Sequence, residues 1–197
     1  MKDLINKNSV GHTGTYKFRL LNSNGDVKDE WTESVNTAVD EGLAYIQTTA
    51  FYRGSAIVSP IQVWYMGIYT GSIADTDTWK ATTAATVTAV TNELTAYNSN
   101  TGDRVIWAIN DAQGTADADR TVTNSNTAAS FTLTGSITIR GAFICSSLKN
   151  DGVVPPAGSK LFSIANFESS PGVPAPRQGE VGDVLQVIYE SELSTGA

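Results

Sequence analysis

The chain has 197 residues, 41% of them hydrophobic and only 17% charged, with a net charge of −7 and a pI near 4.6. Its 13 Lys and Arg are scattered without a run, which excludes nucleic-acid binding as the main function, because affinity for a phosphate backbone needs clustered cations. No apolar stretch approaches the ~18 residues of a membrane span, the single cysteine (Cys145) excludes an intrachain disulfide, and the apolar content suffices for one large β domain.

Residues 1–13 are polar and aperiodic, so they are expected to form either a flexible arm or an arm that orders on a neighbour. The opening Met1-Lys-Asp-Leu-Ile-Asn-Lys-Asn8 lacks the apolar centre of a secretion signal, and the expectation is a soluble chain made in a reducing cytoplasm. Gly14 to Leu21 alternates, with Tyr16, Phe18 and Leu20 facing in and Lys17 and Arg19 facing out. Asn24-Gly25 follows, the signature of a two-residue hairpin turn in which both residues take positive φ. Val27 to Trp31 is the returning strand.

The stretch from Asn36 to about Phe51 is the one helix expected, with Val39, Leu43, Ile46 and Ala50 at helical spacing. Thr37-Ala-Val-Asp40 resembles a capping box, and Asp40 and Glu41 suit the positive end of the helix dipole. Ile61 to Tyr69 is apolar on both faces, as in a buried strand. Residues 71–92, rich in Thr, Ala and Asp, are a long excursion that could hold a short helical turn near Trp79. Further strands are expected at Arg104–Ile109, Arg120–Asn124 and Ala129–Leu133.

Ser136 to Ser146 is the expected central strand. Ile137, Ile139, Gly141, Phe143 and Cys145 share an apolar face, while Thr138, Arg140, Ala142, Ile144 and Ser146 share a mixed one. Gly141 marks a bulge or a close backbone approach. A loop carrying Pro155-Pro156 leads to a strand at Lys160–Phe167. A proline-rich connection over 169–181 precedes the last strand, Asp183–Tyr189, and residues 191–197 form a loose tail. The sum is a mainly β domain over 14–190. It is expected to be an antiparallel, jelly-roll-like β-sandwich of about eight strands with one helix packed on it.

Candidate chemistry is sparse. His12 is the only histidine, so no His-paired metal motif exists, and a solvated ring is expected. No G-x-S-x-G elbow, phosphate-binding P-loop or dinucleotide fingerprint is present. Asp75 with Asp77, and Asp117 with Asp119 beside Asp111, have spacings that calcium uses, but neither fits an EF-hand and both suit turns. A carboxylate pair for glycoside cleavage has no visible cleft to span. Among the tryptophans, Trp64 and Trp107 lie in strong strands and belong to the core. Trp31 and Trp79 are the other two, and Trp79 is the candidate for contact with a partner. Cys145 lies in the apolar strand and is expected to be an inert buried thiol. No catalytic, cofactor-binding or metal-ligating residue is assigned, no cofactor is expected, and the chain is read as no enzyme.

Several stretches together resemble the small structural proteins of tailed bacteriophage virions, of the capsid decoration or cement type. They are the hairpin at Asn24-Gly25, Asn36-Thr-Ala-Val-Asp-Glu-Gly-Leu43, Trp64-Tyr-Met-Gly-Ile68, Asn92-Glu-Leu-Thr-Ala-Tyr97 with Arg104, Asn124-Ser125 before Phe131-Thr-Leu133, Arg140-Gly-Ala-Phe-Ile144 and Gly182-Asp-Val-Leu-Gln-Val-Ile-Tyr189. The pattern spans most of 14–190, with the Pro155-Pro156 loop as an insertion. The resemblance implies a virion protein that binds the outer capsid surface, with the major capsid protein or other virion proteins as partners and a homo-oligomeric state. A tail, neck or fibre component touching the host is the alternative. It transfers no functional residues.

Overall fold

The computed structural model describes residues 10–51, 61–72, 80–98, 103–109, 121–148, 158–170 and 173–195. These residues are mainly β, and every ladder among them is antiparallel. In chain order the first elements are β1 (Val10–Leu21), β2 (Val27–Val35), β3 (Thr37–Ala38), α1 (Asp40–Phe51), β4 (Tyr65–Tyr69), α2 (Val87–Thr91), β5 (Tyr97–Asn98) and β6 (Val105–Ile106). They continue with β7 (Thr121–Thr123), β8 (Ala129–Leu133), β9 (Ile137–Ile139), β10 (Gly141–Cys145) and β11 (Leu161–Asn166). β12 (Glu168–Ser170), β13 (Val173–Pro174), β14 (Arg177–Gly179) and β15 (Val184–Thr195) complete the chain.

A six-stranded sheet runs β2-β1-β15-β8-β5, with β7 also paired to β15. A five-stranded sheet runs β3-β11-β10-β4-β6. Two ribbons, β12 with β13 and β14 with β9, complete the pairing. The main core draws on both large sheets. Tyr16, Phe18, Leu20, Phe131, Leu185, Val187 and Tyr189 come from the first, and Met66, Ile68, Ala142, Ile144 and Ala165 from the second. Phe18 stacks on Phe167 at 3.8 Å between ring centroids.

A second, smaller core lies on the other face of the five-stranded sheet. Val39, Tyr69, Phe143, Cys145, Leu161 and Ile164 meet Ala84 and Val87 there. The central strand is therefore buried on both faces, which corrects the expectation of one apolar and one mixed face. Ala142 and Ile144 point into the main core, Phe143 and Cys145 into the smaller one. The strand is also shorter than expected, because β9 leaves to pair with β14 and β10 begins at Gly141. Gly141 is the site of close approach: a Cβ there would run into the Ala165 carbonyl oxygen and the Tyr69 ring.

The first and last strands extend further than the sequence suggested. β1 begins at Val10 and pairs through to Leu21 with β15, which ends at Thr195, so Val10 faces Thr195 and Leu21 faces Val184. Residues 10–13 of the expected arm and 191–195 of the expected tail thus close a 12-residue ladder between the first and last strands. Backbone pairing carries this extension, which side-chain alternation over polar residues does not reveal.

The hairpin after β1 differs in kind. Gly25 has φ +90°, whereas Asn24 has no positive φ. Gly25 N–H donates to the Asn22 carbonyl at 2.9 Å and Asn22 N–H to the Asp26 carbonyl at 2.8 Å. This is a three-residue loop, a type I turn closed by a left-handed glycine, instead of a two-residue turn with two positive φ angles. The Asn22 side chain explains the choice, since its Oδ1 accepts from both Asn24 N–H and Asp26 N–H at 2.9 Å.

The helix starts at Asp40, later than expected, because Thr37–Ala38 is taken into β3 opposite Ile164 and Ser163. Val39 is fully buried but Leu43 is 36% exposed. Gly42 supplies the contact instead: its missing Cβ would lie 2.6 Å from the Phe162 carbonyl, so the helix backbone rests directly on β11. The expectation of a single helix is corrected by α2, which ends on Asn92 at φ 50° with the Asn92 N–H returned to Thr88.

Candidate functional site

Buried polar groups converge most densely outside the five-stranded sheet, around Arg104. The residue is 1% exposed and is the largest fully buried side chain among the described residues. It enters at the start of β6, where its backbone N–H bonds to the Leu148 carbonyl at 3.0 Å. Glu93 comes from the chain leaving α2. Arg104 Nε and Nη2 donate to its two carboxylate oxygens at 2.7 and 2.6 Å, a bidentate pair. Nη1 donates to the Ser147 carbonyl at 3.0 Å and to Cys145 Sγ at 2.9 Å, and Nη2 also reaches Thr88 Oγ1 at 3.2 Å. Thr88 Oγ1 in turn donates to Glu93 at 2.7 Å, and the Phe143 ring lies 5.0 Å under the guanidinium.

The electrostatics follow from this closure. Burial alone would lower the Arg104 pKa, but the hydrogen bonds and charge of Glu93 outweigh it and the net shift is upward. Burial pushes the Cys145 thiol up to about 11 despite the nearby guanidinium. A thiol so shifted stays protonated at neutral pH, and Cys145 is buried as expected. Each nitrogen of the guanidinium is occupied within the chain, so the network joins the sheet to the layer outside it and presents no free charge.

A second convergence lies at the β1–β15 pair. His12 was expected to be solvated, but it is half-buried in β1. Its Nε2 lies 3.0 Å from Ser191 Oγ, and its ring meets the Phe162 ring edge-on at 5.4 Å. Its Nδ1 is buried with no partner among the described residues. A catalytic Ser-His pair needs an acid on that second nitrogen to orient the ring, and no described residue makes that contact. Desolvation lowers the His12 pKa. Close by, Tyr16 Oη lies 2.7 Å from Ser163 Oγ and the Asn36 amide donates to Tyr189 Oη at 3.0 Å. Burial raises both phenols.

A groove of about 630 Å³ opens where β6 of one sheet faces β8 of the other. Its walls are apolar or small, from Tyr65, Val105, Ile106 and Leu148 to Ala128 and Ala129, with Asn98, Ser130 and Thr132 supplying neutral polar atoms. Arg104 reaches its edge with its charge already matched by Glu93. The described lining carries no carboxylate, imidazole or thiol. Ile106 and Leu148 are 53% and 36% exposed at its rim.

The remaining candidates separate clearly. Trp107 is buried in the core against Tyr189, and Trp64 packs on the core between Tyr45 and Phe162. Trp31 is 36% exposed beneath the Arg19 guanidinium. Asp75, Asp77, Trp79, Asp111, Asp117, Asp119 and Pro155-Pro156 lie outside the described residues. Among the described residues no cluster of three or more His, Cys, Asp or Glu could hold a metal ion, and no helix is long and apolar enough to cross a membrane. Glu93 and Arg104 both fall within the pattern quoted for the resemblance, which carried no role for them. Arg104 opens the expected Arg104–Ile109 strand, where nothing in the pattern signals its burial, and only the fold shows it. Comparison with family models, curated proteins and solved structures finds no match.

Proposed function

We propose that the chain is a non-enzymatic structural protein of a bacteriophage virion: a decoration protein that binds the outer surface of the assembled capsid, with the major capsid protein as its partner, and acts as a homo-oligomer. The observation that carries this reading is how the buried polar groups are used. Arg104, Glu93, Thr88, Cys145 and the Ser147 carbonyl pair with one another, while the groove is lined by apolar and neutral polar groups, with the Arg104 charge at its edge matched by Glu93. Chemistry of this kind holds a scaffold and meets neighbours. In this reading the two large sheets form a jelly-roll-like sandwich. Support comes from the core they share, the ladder between first and last strands, and the repeated passage of the chain from one sheet to the other. Many weak contacts per copy, repeated by shell symmetry, would stabilise the capsid through multivalency.

The test is add-back. Purified protein mixed with mature shells that lack it should bind and raise their melting temperature. Absence of binding to such shells ends the reading. Copy number in purified virions separates a shell protein, present in hundreds of copies, from a tail, neck or fibre component, present in a few.

A further inference from the structure

The loop Asn22–Asp26 carries the only Asn-Gly pair in the sequence. Asn24 is exposed at the tip, and no hydrogen bond reaches its carboxamide among the described residues. Space beside Gly25 is open: a Cβ built there would meet nothing within 4 Å. One feature opposes reaction. The Gly25 N–H is held by the Asn22 carbonyl at 2.9 Å, in a loop pinned by the Asn22 side chain.

We propose that Asn24 is a spontaneous covalent modification site, at which water converts its carboxamide to aspartate and isoaspartate through a cyclic imide. In the first step a base, hydroxide at mildly alkaline pH, removes the Gly25 amide proton. The Gly25 nitrogen then forms a bond to Asn24 Cγ, the Cγ–Nδ2 bond breaks, and the nitrogen leaves as ammonia with the proton returned from water. In the second step water opens the imide. Attack at Cγ gives aspartate, and attack at the main-chain carbonyl carbon gives isoaspartate. The sum is one water consumed and one ammonia released, with no oxidation. A following glycine is what permits the first step, since any side chain at Gly25 would crowd the ring.

The product changes the tip in two ways. It places a new carboxylate near Asp26, whose Oδ2 accepts from the Asn22 amide at 3.1 Å. The isoaspartyl form also lengthens the backbone by one methylene inside a loop whose hydrogen bonds fix the β1–β2 register. The hydrogen bond on Gly25 sets the rate. Breaking one neutral hydrogen bond before attack slows the folded chain about fivefold relative to an unfolded peptide of the same sequence.

The experiment incubates the whole folded protein at mildly alkaline pH beside a synthetic peptide spanning residues 20–28. Both are followed by peptide mapping with mass spectrometry and by ammonia release. The expected result is a one-dalton gain confined first to Asn24, split into two chromatographic forms, about fivefold slower in the protein than in the peptide. Asn24→Gln should remove it, and Asn22→Ala, which unpins the loop, should bring the rate toward that of the peptide. Asp151-Gly152 can form the same imide by losing water, but it releases no ammonia and leaves the mass unchanged, so the two are distinguishable. The proposal is overturned if another asparagine of the folded protein reacts first. It is equally overturned if Asn24 stays intact while the peptide is fully converted. The mapping of the unaltered protein decides the matter even where Asn22→Ala does not fold.

Discussion

The two faces of the five-stranded sheet are filled by different means. On the inner face Met66, Ile68, Ala142 and Ile144 meet the six-stranded sheet through apolar contact, and the few buried polar atoms there are hydroxyls and amides such as Tyr16, Ser163, Asn36 and Tyr189. On the outer face the apolar cluster is smaller, and an ion pair completes it. The contrast teaches where cohesion comes from when area runs short. Burial scales with apolar area, so the thin outer layer of α2 and its flanking chain gains less from packing. Charge-assisted bonds from Arg104 to Glu93, Thr88 and Ser147 fix it in place instead. The carboxylate of Glu41 acts likewise at the edge of this layer. It accepts from Ala84 N–H and Leu161 N–H at 2.8 Å, tying α1, the chain before α2 and β11 together.

Removing one partner of the outer ion pair should have the largest effect. Glu93→Ala leaves the guanidinium buried without a counter-charge and should cost about 3–5 kcal/mol in denaturant unfolding. Replacing both residues, Arg104→Met with Glu93→Leu, should recover most of that loss, since matched apolar groups need no compensation. A double variant as unstable as the single one would show that the network has a role beyond closing this layer. On the inner face Tyr16→Phe removes the bond to Ser163 and should cost about 1–3 kcal/mol. Ile144→Val should cost about 0.5–1.5 kcal/mol, as one methylene leaves a close-packed site.

The thiol and the imidazole sharpen the comparison without large changes in stability. Cys145, on the outer face, should resist alkylating reagents at pH 8 in the folded state and react fully in denaturant. Rapid labelling of the folded chain would show that the outer layer opens readily. For His12 the sign is set by its lowered pKa. The unfolded chain binds the proton more tightly than the folded one, so the contribution is fully present above the unfolded value of about 6.5. It is lost as pH falls from there through the lower folded pKa. Melting curves at pH 7.5 and pH 5 should therefore differ more for the native chain than for His12→Asn. The smallest effect belongs to the exposed side of the six-stranded sheet. Lys17 bridges Glu33 at 3.3 Å and Glu190 at 3.0 Å, and Lys17→Ala should change stability by less than about 1 kcal/mol.

The inner core was legible in the sequence because its residues alternate. Tyr16, Phe18 and Leu20 face in as their spacing requires, and Trp64 and Trp107 pack on or within the core. Buried Cys145 also follows from its apolar strand. The outer core was not legible. Phe143 and Cys145 match its face, but their partners Ala84 and Val87 come from a Thr- and Ala-rich stretch with no apolar periodicity to place the helix at Val87–Thr91. Glu93 and Arg104 are 11 residues apart in sequence, and no local pattern pairs them before the fold does. Element ends failed for a related reason. The β1–β15 ladder continues through polar residues 10–13 and 191–195 because backbone bonds carry it. The turn at Asn24-Gly25 was placed correctly, but its type depended on the Asn22 side chain.

Locating the chain in an averaged reconstruction of the virion tests the central claim most directly. The account predicts density for this fold on the outside of the shell in many symmetry-related copies, with the rim formed by Ile106 and Leu148 against a neighbouring subunit. Density confined to the tail or neck, or solvent on every side of that rim, would contradict it.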